Sequence, residues 1–245
     1  MSTRASRDRD APAFAPRVMP LGDGAVMAEL AEAVDLDANA VAHHVAAEVR
    51  RRAPAWVTDV VTAIVTVTVH FAAATAREAA ERREQASRLL LEAVARSRHR
   101  SAGAPARTVE VPVCYEAPFA LDLEVLATRT GLAPAEVVRL HVASPHRVLM
   151  IGFVPGHPYI GGLDERLAVP RRATPRPRME RGAVAIANGQ TSIYPFVTPG
   201  GWNVIGRTPL VLFDPARERP SLLEPGDAVR FVPISRERFE RGGFA

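Results

Sequence analysis

Hydrophobic and polar positions change their period several times along this chain. Residues 17–30 alternate loosely on either side of Gly22-Asp23-Gly24, which predicts a short hairpin. From Asp35 or Asp37 as the capping residue, Val41, Val45 and Val49 recur every fourth position beside Ala38, Ala42 and Ala46. That spacing predicts an amphipathic helix, and Arg50–Arg52 suit its negative C-terminal end. Between Val57 and Phe71 the period drops to two. Val61, Ala63, Val65, Val67, Val69 and Phe71 share one face and Thr62, Thr66, Thr68 and His70 the other, predicting one long half-buried strand. Thr75-Ala-Arg-Glu78 reads as a capping box that opens a second helix, with a stripe through Ala86, Leu89, Leu90, Ala93 and Val94. Two helices interleaved with strands imply a small sheet covered on one side.

The polar stretch SRHRSAGAPAR, residues 97–107, interrupts this pattern and reads as a linker. Beyond it, Val109, Val111 and Val113 alternate as a strand. Asp122 caps an expected helix over Leu123–Thr130 that Gly131 ends, and Pro134 opens another running to about His141. Arg147 to Phe153 is an apolar strand. From Val154 to Pro233 helical periodicity vanishes, and short strands (183–187, 202–205, 210–213, 228–233) alternate with Gly/Pro turns. That is the pattern of a closed or nearly closed β-barrel. The expected class is α+β: a tail over 1–16, an N-terminal α+β domain over 17–96, the linker, a β-barrel domain over 108–235 and a tail over 236–245.

Composition narrows the function classes. All 31 basic residues are arginine, so the sequence pI of about 10.1 arises on a net charge of only +4. Such an excess supplies no basic stripe for nucleic acid, and the lack of lysine excludes a Schiff base or a Lys-based P-loop. One cysteine, Cys114, excludes an internal disulfide framework and reads as a small buried filler. Residues 1–16 hold no apolar core of a signal peptide, which points to the cytoplasm. Gly182–Gly206 is 25 residues without a formal charge, but five glycines, two prolines and several amides make it strands and turns rather than a membrane span.

No GxSxG, HExxH, CxxC, Walker A or GxGxxG motif is present. The informative region runs from Gly152 to Arg207. GFVPGHPYIGG is rigid because proline fixes φ and glycine permits tight approach; it reads as a barrel-end closure or a pre-formed binding edge, with His157 and Tyr159 as its polar probes. ANGQTSIYP adds Gln190 and Tyr194, and the neutral stretch ends at Arg207, which either meets a ligand or serves the structure, by bracing a turn or bridging to Asp214 or Asp227. PRRATPRPRMER, broken by three prolines, cannot be helical. Its Arg171, Arg172, Arg176 and Arg178 form either a solvated basic loop or a site for anions or a partner. Residues 166–181 alone hold six arginines against Glu180.

GFVPGHPYIGGL, PRRATPRPR, IANGQTSIYP, TPGGWNVIGRTPLVLFD and PSLLEPGDAVRFVPI, in this order, resemble the allophanate hydrolase subunit 1 family, also called KipI-like or the B-type subunit of 5-oxoprolinase. The N-terminal MPLGDGAVMAEL and the VTDVV…VTVHF strand fit the same pattern, so the resemblance covers about residues 17–235. It implies an N-terminal α+β domain and a cyclophilin-like barrel. It also implies a heteromer with a KipA-like protein, the C-type subunit, and, with an A-type subunit, the ATP-dependent opening of 5-oxoproline to glutamate. ATP, with Mg2+, would act at the level of the complex; no metal ligands are expected from this chain. His157, Tyr159, Gln190, Tyr194 and Arg207 would line a ligand site completed by the KipA-like partner. Related assemblies widen the reading to a regulator of a histidine kinase or a component of a biotin-dependent urea carboxylase. His157 stands where the family usually has Phe, and Ala185, Asn188 and Ser192 replace frequent glycines.

Overall fold

The structure, a computed structural model, describes residues 15–97 and 107–244. The chain divides into two compact units at Ala102/Gly103. Most of the tail expected over 1–16, and all but the end residues of the linker expected over 97–107, lie outside the described residues.

The first unit contains β1 (Arg17–Pro20), β2 (Ala25–Glu29), α1 (Leu36–Arg52), β3 (Val57–Thr62), β4 (Thr66–Phe71) and α2 (Ala76–Ser97). The strands form an antiparallel sheet in the order β1-β2-β4-β3. Val26, Ala28, Val60, Val67 and Val69 project from one face onto Ala42, Val45, Ala46 and Val49 of α1 and Ala86, Leu90, Ala93 and Val94 of α2. Asp35 caps α1 by accepting from the Ala38 amide at 2.6 Å. Thr75 accepts from the Glu78 amide, but Glu78 reaches back to Ala74 rather than to Thr75.

The single long strand expected over 57–71 is instead the hairpin β3–β4. Its turn is closed by Ala63 N–H donating to Thr66 O at 3.0 Å, and the Asn39 side chain of α1 donates to Ile64 O at 2.7 Å. In β3 the even position Val60 faces the core and Val61 is exposed, whereas in β4 the odd positions face inward. An unbroken run of apolar odd positions conceals this change of face.

The second unit contains β5 (Thr108–Val113), α3 (Leu123–Thr130), α4 (Pro134–Ala143), β6 (His146–Ile151), β7 (Pro158–Gly161), β8 (Arg176–Met179), β9 (Ala183–Ala187), β10 (Gln190–Ile193), β11 (Thr198–Gly200), β12 (Asn203–Arg207), β13 (Ala228–Pro233) and α5 (Arg236–Arg241). Seven strands order as β12-β9-β10-β7-β6-β13-β5, with β13 and β5 parallel and the other pairs antiparallel. The two edges then meet. Cys114, directly after β5, exchanges both backbone hydrogen bonds with Arg207 of β12, at 2.9 and 3.0 Å. The sheet is thereby a nearly closed barrel, and the chain as a whole is α+β.

Val111, Val148, Ile160, Val184, Ile186, Ile193, Ile205 and Phe231 form the interior, joined by Leu126 of α3 and Val137 and Leu140 of α4. The other face of β9 is covered as well: Ala183, Ala185 and Ala187 pack with Met179, Tyr194, Trp202 and Val204. The Arg-rich segment thus ends as β8, paired with β11 in a two-stranded ribbon. Residues 210–213, bracketed by Pro209 and Pro215, make only an isolated bridge, Phe213 to Ser221, in place of the expected strand. Residues 236–241, expected within a tail, form α5: Ser235 caps it by accepting from the Arg238 amide, and Phe239 stacks on Phe119 at 4.3 Å between ring centres.

Candidate functional site

The site is assembled by β7, β10 and the loop leading into β7. Register places Ser192 of β10 opposite Tyr159 of β7. The loop 152–157 folds back on itself, with Gly152 N–H donating to His157 O and His157 N–H to Val154 O, both at 3.1 Å. Gly156 takes φ +72°, and a Cβ there would strike Phe213, so only glycine fits. Phe153, also at φ +72°, is 64% exposed.

This loop delivers His157 to Ser192, whose Oγ lies 2.8 Å from His157 Nε2. His157 is only 3% exposed. Its ring meets those of Tyr194, Tyr159 and Phe153 edge-on at 5.1, 5.2 and 5.5 Å, and Tyr159 meets Trp202 at 6.0 Å. Nδ1 of His157 is buried without a hydrogen-bond partner. Burial drives the imidazole pKa down to about 4, so the ring is neutral near pH 7. Burial also pushes the Tyr194 phenol up to about 12, although Arg171 nearby favours the anion. Gln190 is buried two residues before Ser192, on the same face of β10 by strand alternation.

The structure sorts the arginine run. Arg172 and Arg176 are bound to the buried carboxylate of Asp122, at 2.5 Å and at 2.7 and 2.8 Å. Arg178 pairs with Glu180, and Arg166 with Asp164. Arg171 has no carboxylate partner among the described residues, and its guanidinium stands 5.9 Å from the Trp202 ring centre. Three carboxylates thus answer four of the six arginines, and Arg171 is left beside the ring cluster.

Arg207 does not bridge to Asp214 or Asp227. Its Nε donates to Arg181 O at 2.9 Å, and its guanidinium lies about 6 Å from both Phe119 and Phe239. Asp227 is paired with Arg107, and Asp214 faces Arg217. Arg207 thus braces α5 against the barrel seam, and none of its contacts is with His157, Tyr159 or Tyr194. Asp122 caps α3 only by position: its side chain makes no cap hydrogen bond and serves the two arginines and the Val204 amide. Sequence reasoning missed Trp202 as a site residue and Asp122 as an ionic hub. It marks Ser192 only as an unusual residue.

Residues 16–223 match the family described as carboxyltransferase domain, subdomain C and D. The chain belongs to that family. Among curated relatives, this subdomain C/D protein is 48% identical over 133 residues to the B subunit of 5-oxoprolinase from Bacillus subtilis, covering 54% of this chain and 55% of that one. It is 51% identical over 127 residues to the corresponding 5-oxoprolinase protein of Escherichia coli O157:H7, covering 52% and 58%. The matches thus span little more than half the length of these relatives. A conserved uncharacterized protein of Pyrococcus horikoshii shares 34% identity over 91% of this chain and all of its own, with a TM-score of 0.53. The urea amidolyase of K. lactis superposes with a TM-score of 0.75 at 20% identity, covering 94% of this chain and 16% of its own, and shows a shared fold.

Proposed function

We propose that this subdomain C/D protein is one component of a heteromeric ATP-dependent 5-oxoprolinase, working with a KipA-like partner (the C-type subunit) and an A-type subunit. The observation that carries the reading is the aromatic cluster with one uncommitted guanidinium at its side. 5-Oxoproline is a small five-membered lactam bearing a carboxylate. Tyr159, Tyr194 and Trp202 suit the apolar ring, and Arg171 suits the carboxylate through charge-assisted hydrogen bonds. The relatives named as B subunits of 5-oxoprolinase support the same reading.

Lactam opening needs an activated amide oxygen, and ATP supplies that activation by phosphorylation when bound. The described residues do not fit a nucleotide–Mg2+ site. No group of three or more His, Cys, Asp or Glu side chains is placed to hold a metal, and the buried Asp122 carboxylate is saturated by two arginines and an amide. The proposal leaves ATP to the assembled complex, and no step in this chain is routed through it. No helix among the described residues is long and apolar enough to cross a membrane, and we place the complex in the cytoplasm.

The test is co-expression with the cognate partner proteins and assay of 5-oxoproline-dependent ATP hydrolysis. An assembled complex without turnover defeats the proposal. Within an active complex, Arg171→Gln is expected to raise the KM for 5-oxoproline by about tenfold or more, the scale of one charge-assisted contact. Arg207→Ala should instead lower thermal stability and leave KM nearly unchanged.

A further inference from the structure

His157 and Ser192 lie on different segments and are both buried, yet among the described residues each is the other's only side-chain hydrogen-bond partner. The Ser192 hydroxyl has no other acceptor among the described residues, so its hydrogen is answered only when it is donated to His157 Nε2; the reverse bond would leave that hydroxyl as the buried orphan. A ring nitrogen that accepts cannot carry the proton, so the neutral imidazole bears its hydrogen on Nδ1. Nδ1 is buried and unpartnered. An unanswered buried donor is unfavourable by about 1–3 kcal/mol, which marks it as a group awaiting an acceptor. The cage around it is aromatic, and one of its walls, Phe153, is itself 64% exposed.

We infer that Ser192 and His157 act as one specificity device: Ser192 fixes the tautomer, and His157 Nδ1–H reads an uncharged acceptor, the carbonyl oxygen of a cyclic amide. The inference rests on the function proposed above for the choice of ligand, and on geometry alone for the pair. His157 is a binding residue and Ser192 a positioning residue. Phenylalanine at 157 with glycine at 192 would keep the shape of the cage but remove its donor.

The test has two arms. In the isolated chain, nitrogen-15 NMR of the histidine rings should show His157 protonated at Nδ1, with that preference lost in Ser192→Ala and kept in Ser192→Thr. A wild-type ring protonated at Nε2 overturns the inference whatever the enzyme does. In the assembled complex, Ser192→Ala and His157→Phe should each raise KM for 5-oxoproline about three- to tenfold, with kcat changed less and Ser192→Thr near wild type. The double variant His157→Phe/Ser192→Gly should match His157→Phe alone, because the serine has no ring nitrogen left to orient. Additive losses in the double variant, or an unchanged KM in Ser192→Ala, overturn the pair. A wild-type complex that turns over no 5-oxoproline is a failure of the proposed function, visible before any variant is made, and the NMR arm then decides the pair.

Discussion

The Asp122 carboxylate, 2% exposed, accepts hydrogen bonds from Arg172, Arg176 and the Val204 amide, while its own N–H donates to Val204 O. One side chain therefore ties the start of α3 to β12 and to the segment that presents Arg171. Removing one partner of a buried ion pair costs about 3–5 kcal/mol, because the remaining charges lose their compensation. Arg172 and Arg176 keep some solvent contact, which lowers that figure. Asp122→Ala is expected to destabilise the second unit by about 2–4 kcal/mol in urea unfolding. Asp122→Asn should lose less, since it retains an acceptor for the Val204 amide. Arg230→Ala, which removes an exposed pair with Glu110, is expected to stay within about 0.5 kcal/mol. Equal losses for the two sites would contradict this account. Sequence could not reveal the Asp122 hub, because its partners lie 50 and 54 residues away. By contrast, the grouping of His157, Tyr159 and Tyr194 is legible: rigid Gly/Pro turns and buried-looking polar groups mark a strand edge locally.

At the level of elements, the hairpin β3–β4 depends on a contact from outside it, the Asn39 amide on Ile64 O. Asn39 is buried in α1, so Asn39→Ala or Asn39→Leu leaves a turn carbonyl without its donor. Each is expected to cost about 1–3 kcal/mol, with loss of amide-exchange protection concentrated in residues 62–67. Protection that falls evenly along the first unit would argue against a local pin. The same hairpin shows where sequence patterning reaches its limit. Elements with a local stop signal are legible in the sequence: α3 between Asp122 and Gly131, and β13 at 228–233. Val57–Phe71 has no Gly or Pro to mark its turn, so nothing local breaks the alternation. Glycine and proline crowd β7, β10 and β11, which gives these strands the look of loops. β7 and β10 are paired because the closing barrel supplies neighbours that the sequence alone does not announce, and β11 because β8 lies beside it in the ribbon.

Across the whole molecule, the barrel unit encloses three neutral histidines. His141 Nδ1 lies 2.9 Å from Tyr115 Oη and its Nε2 3.1 Å from Thr191 Oγ1, while His146 Nε2 donates to His141 O at 2.7 Å. Burial lowers all three, His146 and His157 to about 4 and His141 well below its usual value. In the unfolded chain these rings take up protons near pH 6.5, whereas the folded ones resist until about pH 4. The unfolded state thus binds more protons within that window, and stability falls as pH drops through it. His146 and His157 contribute on the order of 3 kcal/mol each once the window is crossed. The ion-paired carboxylates run in a lower window: Glu48, Glu78 and Asp164 have lowered pKa values, so what they add begins to be lost as pH nears their unfolded values, 4.5 for the glutamates and 3.8 for Asp164. Destabilisation between pH 6.5 and about 4.5 should therefore be largest in the barrel. Trp202 reports that unit and Trp56 the other, so Trp56→Phe leaves a fluorescence signal from the barrel alone. Its melting temperature should fall steadily from pH 6.5 to 4.5, and His157→Phe should flatten the slope by about a third. In the complementary variant Trp202→Phe, the Trp56 signal should move less across the same range. A barrel transition independent of pH there would mean that these rings are not buried neutral in solution.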